Sequence, residues 1–191
     1  MRIISGSHKG RIIKPPAGLK VRPTTDKARE SLFNILNNIL DLSDTRVLDL
    51  FAGTGSVSYE FASRGAILVH AVEANHRHAA FISNTATKLD MKCLQVFHTD
   101  VRKYLIRTAN TYDLVFADPP YNLPWLAFIP DVVFSAAIMN PGGKFILEHP
   151  RDHSFNNHRL FEQHRKYGAV NFSFFKSEGN ITGEDKKYRP D

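Results

Sequence analysis

Between about residues 45 and 150 the chain repeats one pattern: a short aliphatic run, a break rich in Gly, Asn, Asp or Pro, then a segment whose apolar positions recur with helical spacing. Val47-Leu48-Asp49-Leu50 predicts a strand and 56–63 a helix, 67–73 a strand and 75–89 a helix. The pattern continues with a strand over 92–98, a helix over 101–108, a strand over 112–117 and a helix over 126–139, and 143–148 is a fifth strand after the turn Asn140-Pro141-Gly142. Strands alternating with helices imply a parallel sheet between two helical layers, and right-handed crossovers leave few topologies. Upstream, Ala28, Leu32, Ile35, Leu36 and Ile39 predict one face of a helix that starts at a Thr24 or Thr25 cap and runs to about Leu40. Arg2-Ile3-Ile4 and Arg11-Ile12-Ile13, separated by Gly6 and Gly10, predict a small β-hairpin that Pro15-Pro16 ends. Downstream, 158–166 and 169–176 around Tyr167-Gly168 predict an antiparallel hairpin closing one edge of the sheet. The expected class is α/β, a doubly wound and mostly parallel sheet, with an N-terminal extension over 1–23, the sheet domain over 24–176, and a polar, mobile tail over 177–191.

Composition narrows this without changing it. The chain has 191 residues, 42% of them hydrophobic, so it can bury a core without disulfides, and disorder, collagen and coiled coil are poor readings. The lone Cys93 allows neither an intramolecular disulfide nor a Cys-rich zinc site, which fits a reducing compartment. With no apolar run approaching about 18 residues and an N-terminus too short in apolar residues for a signal sequence, the expectation is a cytoplasmic protein without a membrane segment. Charge placement says more. Arg2, Lys9, Arg11, Lys14, Lys20, Arg22, Lys27 and Arg29 stand against Asp26 alone in the first 29 residues, which thus account for the whole formal excess of +6. A basic arm beside a slightly acidic body suits a polyanion, because each neutralised phosphate releases counterions. A merely solubilising terminus would look the same.

Chemistry concentrates at the predicted strand ends. Asp49-Leu50-Phe51-Ala52-Gly53-Thr54-Gly55 closes a strand with a carboxylate and opens a helix through a Gly-x-Gly turn, where backbone can approach a ligand closely. Glu73 ends the next strand where a ribose-binding acid is expected, and Asp100 follows the third. A dinucleotide needs a third glycine for its pyrophosphate, and Ser58 stands there. S-adenosyl-L-methionine carries a sulfonium, an ammonium and a ribose diol instead of phosphate, so three acids at three strand ends suit it better. Each acid alone reads as readily as a helix cap or a solvated loop residue. Asp118-Pro119-Pro120-Tyr121 then follows the fourth strand. Two prolines stiffen that backbone and remove two amide donors. An exocyclic amino group is a poor nucleophile until its N–H bonds are accepted, which Asp118 and the Pro119 carbonyl can do while Tyr121 stacks on the base. A rigid turn with a packed tyrosine is the plainer reading.

These two motifs resemble the class I S-adenosylmethionine-dependent methyltransferases that modify exocyclic amines. Met1-Arg2-Ile3-Ile4-Ser5-Gly6, Lys9-Gly10-Arg11, the run from Arg22 to Leu36, and Tyr167-Gly168 before Ser173-Phe174-Phe175 narrow the resemblance to RsmD-type 16S ribosomal RNA (guanine-N2)-methyltransferases, over nearly the whole chain to about Lys176. That family implies a Rossmann-like methyltransferase sheet and methylation of N2 of one guanine in the 16S ribosomal RNA of the small ribosomal subunit particle; separately, the expectation is a monomer without metal. By the same resemblance Asp49, Phe51, Ala52, Gly53 and Gly55 border the methionine end of the cofactor, Glu73 with Ala74 binds the ribose, Asp100 with Val101 the adenine, and Thr25 and Asp26 close over the methionine end. Asp118, Pro119, Pro120 and Tyr121 hold the guanine, with Asp118 also facing the cofactor. Lys9, Arg11, Lys14, Lys20, Arg22 and Arg29 are the expected RNA contacts. Phe51 departs from the glycine common at its position, and the tail after Lys176 matches nothing in the family. DNA amino methyltransferases share the tetrapeptide but add a target-recognition region, glutamine N5-methyltransferases usually have Asn at position 118, and a silent RNA-binding assembly factor would have lost the acids.

Other residues have plainer readings. The spacings of His76 with His78 and of His149 with His153 suit no usual metal geometry. Phe172, Phe174 and Phe175 read as sheet packing. Trp125, just past Tyr121, reads equally as an RNA contact or as half-buried packing.

Overall fold

The computed structural model describes residues 1–16, 18–19 and 26–179. Among them, β1 (Arg46–Leu50), β2 (Leu68–Glu73), β3 (Leu94–His98), β4 (Tyr112–Ala117) and β5 (Met139–His149) pair in parallel, while β7 (Val170–Lys176) lies antiparallel between β5 and β6 (Phe161–Tyr167). The order across the sheet is β3-β2-β1-β4-β5-β7-β6. Successive side chains in a strand point to opposite faces, so each central strand supplies two cores. Val47, Ala71, Phe116 and Ile146 pack against α1 (Asp26–Ile39), α2 (Ser56–Ser63) and α3 (His76–Lys88). Leu48, Leu50, Val115 and Leu147 pack against α4 (Val101–Arg107) and α5 (Ile129–Ser135). Phe172, Phe174 and Phe175 are fully buried in these layers, as read from the sequence.

The departures from expectation have local causes. The fifth strand is longer than 143–148 because the Asn140-Pro141-Gly142 turn becomes a bulge within it. Its register jumps from Tyr112↔Met139 to Leu114↔Lys144, Gly142 takes φ +75, and Asn140 Nδ2 donates to Asp113 Oδ1 at 2.6 Å. The helix expected over 126–139 is a 3-10 turn, Leu126–Phe128, followed by α5, because Ala137 takes φ +53 and Ile138 leaves to accept from Tyr112 N at 2.8 Å. α1 buries Ala28, Arg29, Leu32, Phe33 and Leu36, while Ile39 is 38% exposed. Its contact face is rotated toward Phe33, whose ring meets Phe61 edge-on at 4.7 Å. The Thr24 or Thr25 cap lies outside the described residues, and β6 and β7 begin later than expected, at Phe161 and Val170.

The N-terminal hairpin is reduced to one antiparallel bridge, Arg2↔Ile12. The segment around its turn is held by α2. Ile4 N and Ser5 N donate to the Glu60 carboxylate at 2.8 and 3.0 Å, and Ser7 N donates to Ser63 O at 2.7 Å. Gly6 sits at φ +83 where a Cβ would fall 1.8 Å from Ser63 O, so only glycine allows this approach. Because α2 runs antiparallel to the strands, this anchor places the hairpin turn at the amino edge of the sheet. After Lys176 the chain stays tied to β5 for two residues, with Ser177 N donating to Gly143 O at 2.9 Å and Glu178 O accepting from Gly142 N. The rest of the tail lies outside the described residues.

Candidate active site

Parity along the strands decides which acids meet. Asp49, Glu73, Asp118 and Glu148 fall in phase with Val47, Ala71, Phe116 and Ile146, so all four project from the carboxyl edge on the face that carries α1, α2 and α3. A cavity of about 490 Å³ opens there. Val72, Val101, Phe116 and Leu123 give it apolar walls, and Asp49, Glu73, Asp100 and Asp118 line it together with Phe51, Ala52, Gly53, Ala74, Pro120 and Trp125. Among the described residues no Lys or Arg lines it.

The Gly turn is fixed by what surrounds it. Ala52 N donates to Val72 O at 2.9 Å and Gly53 N to Glu73 Oε2 at 2.7 Å, while Asn75 N donates to Glu73 Oε1 at 2.6 Å. Glu73 therefore joins the ends of β1 and β2 and is held in one orientation. Phe51 adopts φ +62, a left-handed conformation uncommon for an aromatic residue, and its ring lies 6.0 Å from that of Trp125. Gly55 is the N-cap of α2 at φ +81, and a Cβ there would fall 2.9 Å from the Tyr59 ring. It shapes the turn from behind and does not line the cavity.

The acids differ in environment. Asp49 is 2% exposed and accepts a hydrogen bond from Ser58 Oγ. Burial pushes its pKa up to about 7, with Asp118 and Glu73 adding to the rise and Ser58 opposing it. Asp100 is both cap and lining residue: its Oδ1 accepts from Arg102 N and Lys103 N at 3.0 and 3.3 Å. Asp118 and Pro120 face the cavity, whereas Pro119 is buried and Tyr121 turns aside to donate from Oη to Glu148 Oε1 at 3.4 Å. Sequence reading missed Glu148. It is 2% exposed and lies one residue beyond the pair Ala117↔Leu147, so it neighbours Asp118 across the strands. Its sequence signal was an acid ending the fifth strand, in phase with the other strand ends. Trp125 lines the cavity and carries the Arg102 guanidinium 5.2 Å from its ring.

The expected RNA contacts separate. Lys9, Arg11 and Lys14 are exposed. Arg29 is corrected: it is 2% exposed and its Nη2 donates to Arg2 O at 2.7 Å, so it joins α1 to the hairpin and is withdrawn from solvent. Lys20, Arg22 and Thr25 lie outside the described residues, and Asp26 is described only as the first residue of α1. Among the described residues no group of three or more His, Cys, Asp or Glu is placed to hold a metal, and no helix is long and apolar enough to cross a membrane.

A ligand for this cavity must neutralise acids, present apolar surface and forgo phosphate. S-adenosylmethionine fits those terms, since its cationic end would relieve the charge that Asp49 carries when ionised, and Glu73 offers a carboxylate fixed at a strand end. The fold and the cavity together define a Rossmann-like methyltransferase that uses this cofactor. Within that class the chain belongs to the family described as Conserved hypothetical protein 95, the RsmD family, whose model matches residues 1–176. The chain is 31% identical over 186 residues to the Bacillus subtilis protein named "Putative rRNA methyltransferase YlbH", covering 94% of this chain and 100% of that one. It is 36% identical over 124 residues to the ribosomal RNA small subunit methyltransferase D of Escherichia coli K12, covering 63% of this chain and 60% of that one. Among solved structures, the Escherichia coli protein named "Putative methyltransferase yhhF" superposes with a TM-score of 0.83 at 24% identity, over 94% of this chain and 99% of that one. The Thermus thermophilus 16S rRNA N2 G1207 methyltransferase, solved with AdoMet and guanosine, superposes with a TM-score of 0.67 at 23% identity, over 82% of this chain and 44% of that one. At these identities the superpositions speak for the fold alone.

Proposed function

We propose that this protein methylates the exocyclic N2 amino group of a specific guanine in the 16S ribosomal RNA of the small ribosomal subunit, in the cytoplasm. The observation that carries the reading is the stiff Asp118 to Tyr121 segment at the rim of a cavity lined by acids, with Asp118 inside it and Tyr121 beside it. The names of the Bacillus and Escherichia relatives support ribosomal RNA as the substrate class.

In this reading Asp49, Glu73 and Asp100 would hold the cofactor, which would supply an electrophilic methyl group on a sulfonium. Asp118 and the Pro119 carbonyl accept the two N–H bonds of the guanine amino group, and Tyr121 stacks on the ring. Holding the nitrogen so that its lone pair faces the methyl group supplies most of the acceleration, because such positioning is worth several kcal/mol. As the N–C bond forms, the methyl–sulfur bond would break with its electron pair staying on sulfur as a neutral thioether, and one N2 proton leaves to Asp118 or water. A paired guanine is out of reach, so the target is an unpaired or flipped nucleotide, with backbone contacts offsetting a cost of a few kcal/mol. Lys9, Arg11 and Lys14 contribute phosphate contacts away from the cavity. The test is tritiated methyl transfer to 30S particles, naked ribosomal RNA and DNA, followed by nucleoside analysis. Label in N2-methylguanosine is expected; label only on DNA, or on N6 of adenine, overturns the substrate.

A further inference from the structure

A basic feature at the carboxyl edge lies in the C-terminal hairpin. β7 runs antiparallel to β5 with Asn171 opposite His149 and Phe172 opposite Glu148, and β6 pairs back with Lys166 opposite Asn171 and Arg165 opposite Phe172. Arg165 thus falls in one transverse row with Phe172 and Glu148, on the same face, and Asp118 extends that row on β4. At about 4.8 Å per strand spacing, Arg165 stands about 14 Å from Asp118. His164, Arg165 and Lys166 are exposed in succession on an edge strand, beside exposed Arg151 in the loop after β5.

Two basic side chains around this hairpin are paired with acids. At its far end Lys144 pairs with Glu162 at 2.7 Å and Arg159 pairs with Glu178. Among the described residues no carboxylate forms an ion pair with Arg165 or Lys166; Arg165 Nε instead donates to Gln163 Oε1 at 2.9 Å. Asp152 and Glu148 contact His153 and Tyr121 and are outnumbered by Arg151, Arg165 and Lys166. A net positive surface therefore borders the site where an acidic cavity would otherwise repel a polyanion.

We propose that the β6–β7 end, through Arg165 and Lys166, binds the ribosomal RNA phosphates flanking the target nucleotide and seats the base at Tyr121. The inference rests on RNA being the substrate. The competing explanation is that charge on an edge strand prevents edge-to-edge pairing between copies, which predicts a different failure on substitution.

The experiment uses the full chain and naked 16S ribosomal RNA, measuring binding over a salt series together with methyl transfer to 30S particles. Arg165→Ala with Lys166→Ala should weaken RNA binding about tenfold and reduce the slope of log affinity against log salt by about 1 for each phosphate no longer neutralised. KM for RNA should rise, with kcat changed less than about twofold, because a flanking phosphate is bound equally before and during transfer. Arg165→Lys should restore most of the slope, which a purely structural role would not predict. Arg165→Gln with Lys166→Gln serves should the alanine pair fail to fold, with the thermal midpoint and cofactor affinity as controls. Unchanged RNA affinity and slope in a folded double variant, with or without new self-association, overturns the inference and leaves the RNA methyltransferase reading intact. A parent protein that binds cofactor but neither binds nor labels RNA overturns that reading and this inference with it.

Discussion

Glu60, within α2, and Asp49, bonded to α2 through Ser58, are both withdrawn from water, at 0% and 2% exposed, but at opposite edges of the sheet. At the amino edge Glu60 is satisfied by the chain itself: Ile4 N, Ser5 N and Arg64 Nε, the last at 2.7 Å, donate to its two oxygens. At the carboxyl edge Asp49 receives Ser58 Oγ and faces Asp118 and Glu73, whose charges oppose its own. Equal burial thus has opposite meanings. A buried carboxylate with its own cation and amides holds the fold together, whereas one set among other carboxylates is poised for a cation from outside. The basic segments differ in the same way. The hairpin turn that carries Lys9 is docked on α2 at the amino edge, and the end of β6 that carries Arg165 and Lys166 shares the edge of the cavity.

The largest effect expected at the carboxyl edge is from Asp118→Ala, which should lower methyl transfer by about 10² to 10⁴-fold while cofactor affinity, read by calorimetry, changes little. Comparable loss of both would make Asp118 a structural residue and erase the contrast. At the amino edge Glu60→Gln should cost about 3–5 kcal/mol of stability by breaking a buried ion pair, and denaturant unfolding reads it directly. A variant as stable as the parent would show that Glu60 does not anchor the hairpin.

Titration of Asp49 comes next in size. Its pKa in the folded chain is raised to about 7, so between pH 4 and 7 the folded state holds a proton that the unfolded chain has released. Stability contributed by this group is therefore present at low pH and lost as pH rises through about 7. Cofactor binding, which favours the ionised carboxylate, should run the other way and weaken about fivefold from pH 7 to pH 6. Asp49→Asn should flatten that dependence; a parent affinity constant over this range would exclude Asp49 from the cationic end. Smallest of all is Arg11→Ala with Lys14→Ala. RNA affinity should fall about two- to threefold with a smaller salt slope, less than for the pair on β6. A greater effect than that pair would place the RNA at the amino edge.

Much of this was legible in advance, for reasons that individual residues make plain. Leu114 to Ala117 and Phe145 to Leu147 are continuous apolar runs, and Val47 to Leu50 is one broken only by Asp49, because their strands are buried on both faces, and such runs stand out in any sequence. Gly53 and the Asp118-Pro119-Pro120 segment were visible because unusual backbone demands particular residues. Arg29 and Ile39 misled, since a stripe defined by spacing leaves its rotation free, and Phe33 packing on Phe61 set that rotation. Glu148 stayed hidden because an acid after an aliphatic run looks like a solvated strand end until its neighbours are known.

By itself, the order of residues determined the alternating elements, the two turns that meet at the carboxyl edge and the acids that end each strand, because periodicity and backbone chemistry act over a few residues. Tertiary structure alone decided that Glu148 stands next to Asp118, that Arg29 is buried, and that the basic hairpin turn and the basic end of β6 lie at opposite edges. Those relations depend on strand order and register, which join residues far apart in the chain and leave no trace in local spacing.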